Sequence, residues 1–162
     1  MSRIDEAIQA KTEKRSQLEE LGINPHPYAF NKTHTVAGCI AKKDQEVQTA
    51  GRVMSIRAHG KVIFLDLADM TGDIQVMVRK DDMPEAFSWL KNLVDRGDFI
   101  GVKGTVDATK TGEITIFAQE VLFLGKALRP LPTEWNAAED KEARFRNRAV
   151  DMLINPETKR VL

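Results

Sequence analysis

Residues 51–80, GRVMSIRAHGKVIFLDLADMTGDIQVMVRK, bring together three side chains that could handle a nucleobase. The stretch reads as three short strands joined by two tight turns. In the middle strand Ile63, Leu65 and Leu67 point one way, and Val62, Phe64 and Asp66 the other. In the third, Ile74, Val76 and Val78 oppose Gln75, Met77 and Arg79. One face is a core. The other carries Ser55, Arg57, Phe64, Gln75 and Arg79. An aromatic on a polar, Arg-flanked sheet face offers a stacking surface to a base. Arg57 is a pure donor and Gln75 is both donor and acceptor, so together they can address the edge of that same base. The competing use for an outward Phe64 is to be covered by a terminal helix or another domain. Glu113, in a later turn, is either part of the same reader or an acid that keeps a loop soluble.

Other chemistries are excluded by what is missing. There is no GxxxxGK[ST], HExxH or G-x-S-x-G run and no Cys/His cluster with metal-ligand spacing. His26 and His34 have no acidic neighbours and read as structural or surface residues. The single cysteine, Cys39, permits no internal disulfide and reads as a structural residue of a reducing compartment. Lys+Arg and Asp+Glu are 24 each, which argues against a bulk basic nucleic-acid binder while leaving room for a local patch. No run approaches the about 18 apolar residues of a membrane span, and the charged N-terminus is no signal peptide, so a cytoplasmic protein is expected.

The elements that must hold these residues follow from periodicity. Residues 2–21 form a helix with a thin apolar stripe, a capping box from Ser2 and Asp5, and Gly22 as its stop. Its Lys11, Lys14 and Arg15 could meet phosphate or simply face solvent. Pro25 and Pro27 keep the next segment extended, with Tyr28 and Phe30 expected to pin it to a domain. Thr35 caps a short helix running to about Lys43. Residues 47–57 make a first strand with a bulge or bend at Gly51. After strands two and three, residues 84–95 are helical, and strands at 99–109 and 113–124 flank the turn Lys110-Thr111-Gly112. Phe99 and Phe117 are expected to pack under the helices. Five strands with a helix between the third and fourth is the plan of an OB-fold barrel, which binds on strands two and three and the adjoining loops. The fold class is thus mainly β with α: an N-terminal helical extension at 1–46, the barrel at 47–125, a Pro-containing linker at 126–138, and a helical stub at 139–162 broken by Pro156.

With these elements in place, the chain resembles the N-terminal part of bacterial-type class II lysyl-tRNA synthetases. The match is carried by GINPHPYAF, AGRVMSIRAHGKVIFLDLADMTGDIQVMV, TKTGEITI, KALRPLPTEW and EDKEARFRNRAVDMLIN. The resemblance implies an anticodon-binding domain. In it Phe64 stacks on the central uridine of a lysine anticodon, Arg57 and Gln75 hydrogen-bond to that base, and Glu113 reads a flanking uridine. Arg52, His59 and Lys61 are implied near the tRNA backbone. The family's ATP, magnesium and lysine sites, and most of its homodimer interface, would lie beyond Leu162. The chain is therefore expected to be part of a longer enzyme, to need no cofactor of its own and to be inactive alone. One departure is visible: where the family has R-Y-R-x-R-Y-x-D-L, this chain has RFRNRAVDM, with Ala149 in place of a tyrosine. Two other readings stay open: an OB protein that binds single strands without reading them, and a protein-interaction module anchored on Phe64.

Overall fold

The computed structural model describes residues 2–131, 146 and 148–161. Five strands carry the domain: β1 Glu46–His59, β2 Val62–Ala68, β3 Asp73–Arg79, β4 Phe99–Ala108 and β5 Ile114–Gly125. Helices α1 (Arg3–Glu20) and α2 (Val36–Ile40) precede them, and α3 (Pro84–Leu93) lies between β3 and β4. The strand order is β1-β2-β3-β5-β4, and β4 pairs back onto β1, which closes the barrel. The β3–β5 pairing within this order is parallel.

β1 serves two neighbours. Residues 46–52 pair with β4 and residues 52–59 with β2, so the strand must bend between them. The expected bend at Gly51 is displaced: the register shifts between Val53 and Ser55, leaving Met54 as the extra residue. Gly51 meets a different need, since a Cβ there would stand 2.7 Å from the Ala68 carbonyl oxygen. The period-two alternation holds throughout. Ile63, Leu65, Leu67, Val76 and Val78 are fully enclosed with Val53, Ile100 and Ile116. Each such side chain contributes about 1.5–3 kcal/mol of burial. α3 adds Phe87, Trp89, Leu90 and Leu93 to the core, with Trp89 edge-on to Phe123 at 6.2 Å.

One carboxylate gathers several of the bonds that hold the segment before the barrel. Asp69, in the β2–β3 turn, accepts from Lys32 Nζ (2.7 Å), from the Val36 N–H at the start of α2 (2.9 Å) and from the Thr71 N–H (2.7 Å). Burial alone would raise its pKa; the bonds from Lys32, Thr71 and Val36 outweigh that and hold it well below the usual carboxylate range. α2 is shorter than expected and ends at Ile40, though Thr35 caps it as anticipated. Phe30 does pin the segment, lying over Gly101, where a Cβ would come within 2.5 Å of its ring. Tyr28 does not: it is fully exposed at 106%. Cys39 is enclosed, and burial pushes its thiol pKa up.

α1 has the anticipated Ser2–Asp5 capping box and buries only Leu18. Its lysines are not left to solvent or phosphate. Lys14 Nζ lies 2.6 Å and Lys11 Nζ 3.6 Å from the Asp95 carboxylate. Asp95 belongs to a larger cluster. Lys126 Nζ, wholly enclosed, lies 2.8 Å from Asp95 Oδ2, 2.6 Å from Asp98 Oδ2 and 2.9 Å from the Leu93 carbonyl. Lys126, expected at the head of the linker, is thus built into the base of the barrel.

Burial would raise the Asp95 pKa, but hydrogen bonds from Lys126 and Lys14, with the charges of Lys126 and Lys11, lower it from 3.8 to about 2. A carboxyl whose folded pKa is depressed binds protons preferentially in the unfolded chain. Its contribution is therefore complete above about pH 4 and is lost as the pH falls toward 2. Allowing for partial exposure of Asp95, the loss is about 1–2 kcal/mol. Urea unfolding at pH 7 and pH 2.5 should show it, and Asp95→Asn should show a correspondingly smaller drop between the two.

Residues 130–162 form a separate unit. Two helices are described there, α4 (Arg148–Ile154) and α5 (Pro156–Val161), broken before Pro156 as expected, and Thr158 Oγ1 donates to the buried Asp151 at 2.8 Å. The rest of the expected linker and helical stub, at 132–145, 147 and 162, lies outside the described residues.

Candidate nucleic-acid interface

Strand register sets two parallel rows of side chains across the outer face of the barrel. In the first, Arg57 stands opposite Phe64, Phe64 opposite Met77, and Met77 opposite Phe117. In the second, one step along the pleat, Ser55 faces Asp66, Asp66 faces Gln75, and Gln75 faces Thr115. Neighbouring strands are about 4.8 Å apart. The first row is therefore an apolar floor with a guanidinium at one end, and the second is a polar edge beside it.

A cleft of about 530 Å³ opens over these rows, lined by Arg57, Phe64, Gln75, Met77 and Phe117 together with His59 and the β4–β5 turn. The turn is internally fixed. The Thr109 N–H donates to the Glu113 carbonyl at 2.9 Å and the Gly112 N–H to the Thr109 carbonyl at 2.8 Å. Gly112 has φ +89°, a conformation that favours glycine. Lys110 and Glu113 consequently line the cleft from a set backbone. Arg57 is half exposed and held from behind: Asp66 Oδ2 lies 3.7 Å from its Nη2 and also takes a close hydrogen bond from Ser55 Oγ. Gln75 is only 8% exposed, and its Oε1 accepts from Thr115 Oγ1 at 2.9 Å.

Of the residues singled out by sequence, Arg57, Phe64, Gln75, Glu113 and His59 converge on this one cleft. Arg52 does not. Its guanidinium donates to the Gly97 carbonyl at 3.0 Å and lies 4.2 Å over the Phe99 ring, and burial lowers its pKa. It is occupied within the fold and is not a cleft residue. Lys61 stands at the exposed β1–β2 turn beside Asp81 (3.6 Å), and Arg79 beside Asp82 (3.5 Å); neither lines the cleft. Phe99 and Phe117 also differ from expectation. Phe99 is 40% exposed under Arg52, and Phe117 lies in the cleft. Sequence reasoning missed Met77 and Phe117, which line the cleft, and Asp66 and Thr115, which contact Arg57 and Gln75 beside it. The outward parity of Phe117 was visible, but the parallel β3–β5 contact that sets it beside Met77 leaves no local signal. Among the described residues no group of three or more His, Cys, Asp or Glu side chains could hold a metal ion, and no helix is long and apolar enough to cross a membrane.

The five-stranded barrel is that of an OB-fold, and residues 47–124 match the tRNA anticodon family model, described as an OB-fold nucleic-acid-binding domain. Over nearly its whole length the chain is similar to lysine–tRNA ligases. It is 44% identical over 160 residues to the lysine–tRNA ligase of Fervidobacterium nodosum, covering 93% of this chain and 31% of that protein. It is 42% identical over 153 residues to that of Thermosipho africanus (88% and 30%) and 41% identical over 155 residues to that of Methanospirillum hungatei (90% and 31%). The chain spans about a third of the length of the curated relatives it matches.

Proposed function

We propose that this domain reads the anticodon of a lysine tRNA on behalf of a lysine–tRNA ligase. The observation that supports the reading is the convergence of Arg57, Phe64, Gln75 and Glu113, drawn from four separate parts of the barrel, on one open cleft. Phe64 stacks on the central uridine, whose edge meets donors from Arg57 and Gln75. Glu113, on its fixed turn, accepts from a flanking uridine. His59 and Lys61, at the exposed end of the β1–β2 hairpin, approach the backbone of the same loop. The larger protein would activate lysine with ATP and magnesium, transfer it to the tRNA, act as a homodimer and work in the cytoplasm. The groups holding ATP and magnesium would lie outside the residues described.

A stacking floor is by itself tolerant of sequence, so the rival to exclude is a general single-strand binder. Titrating the domain with a lysine anticodon stem-loop and with oligo-dT of equal length separates the two. The stem-loop should bind at least tenfold more tightly; equal affinities would favour the general binder.

A further inference from the structure

We propose that Thr115 is a positioning residue that decides which pyrimidine the cleft accepts, by holding the Gln75 amide in one orientation; this rests on the cleft being a base reader. A glutamine amide is ambiguous. Turned one way it offers an N–H donor, turned the other a carbonyl acceptor. A free amide could therefore meet the O4 carbonyl of uracil or the exocyclic N4 amine of cytosine equally well. Gln75 is not free. Thr115 lies directly opposite it across the parallel β3–β5 junction, is fully enclosed, and puts its Oγ1 2.9 Å from Gln75 Oε1.

The direction of that bond follows from the surroundings. The Thr115 hydroxyl has one proton and two acceptors in reach, Gln75 Oε1 at 2.9 Å and the Glu113 carbonyl at 3.2 Å. The Glu113 carbonyl is already served by the Thr109 N–H at 2.9 Å. Gln75 Oε1 is the nearer of the two acceptors, so the proton goes to Gln75 and holds Oε1 inward. Nε2, with no other hydrogen-bond partner among the described residues, is left to the cleft that Gln75 lines. Arg57 at the same site can only donate. The edge facing the base thus carries donors alone. A uracil carbonyl satisfies them, whereas a cytosine amine sets donor against donor and leaves buried groups unpaired.

The test is the ratio of affinities for anticodon stem-loops with U or C at the central position, measured for three proteins. The unmodified domain should favour U by about tenfold or more, the scale of one mispaired hydrogen bond. Thr115→Val keeps the side-chain shape but has no hydroxyl, so the ratio should fall to within about threefold as the amide becomes free to turn. Thr115→Ser should restore it. Because the ratio is taken within each protein, a change in the folded fraction does not alter it, and Thr115→Ala replaces the valine variant if that does not fold. An unchanged ratio in the valine or alanine variant, or a preference for C in the unmodified domain, overturns the proposal while leaving the cleft a base reader. Failure of the unmodified domain to bind either stem-loop overturns the base-reading assignment itself, and this proposal with it.

Discussion

Lys126→Met is expected to destabilise the barrel by about 3–5 kcal/mol, the usual result of removing one partner of a buried ion pair. Methionine fills the space of the lysine stem but leaves Asp98 fully enclosed without its cation. Asp98 cannot escape to water, because its two oxygens also accept the N–H groups of Asp95 (2.8 Å) and Ala127 (2.9 Å) and so fix the chain on both sides. The same substitution removes the one wholly enclosed cation beside Asp95, which ties α1 to the barrel through Lys11 and Lys14. The urea midpoint should fall by the corresponding amount. The double variant Lys126→Met with Asp98→Asn should recover part of it, since the stranded charge is then gone. A loss below about 1 kcal/mol would mean that the cluster is more solvated than its geometry indicates.

Phe64→Ala should weaken binding of a lysine anticodon stem-loop about five- to 150-fold, equivalent to about 1–3 kcal/mol of lost stacking. Phe64 stands on the outer face, so its removal opens no cavity in the barrel interior, and the urea midpoint should stay close to that of the unmodified domain. The pairing of a large binding loss with a small stability loss is what distinguishes a stacking residue from a core one. If Phe64 were instead an anchor for a protein partner, the substitution would leave stem-loop affinity unchanged and abolish an association between proteins.

The strongly periodic parts of this chain were legible from the sequence because each face repeats locally. The alternation of Ile63, Leu65 and Leu67 against Phe64 and Asp66 fixed both the core and the outward aromatic. The Ser2–Asp5 box fixed the start of α1. What was not legible depends on contacts between residues far apart in the chain. Met54 carries the bulge because β1 must pass from β4 to β2, which nothing at Gly51 or Met54 announces. Arg52 looked like a free cation until the chain returned to set the Gly97 carbonyl and the Phe99 ring against it. Lys126 looked like a linker residue because its carboxylate partners lie 31 and 28 positions earlier. In the site, Arg57, Phe64, Gln75 and Glu113 were recognisable as residue types in a pattern. Phe117 and Thr115 were not, because the parallel pairing that brings β5 beside β3 joins residues 40 positions apart.

The central claim is that this cleft reads the middle base of a lysine anticodon. The most direct measurement is a titration of the domain, at fixed and stated salt, with two stem-loops identical except for U or G at that position. If the cleft reads uracil, a purine at that position should bind at least tenfold more weakly. Equal affinity for the two would contradict the account.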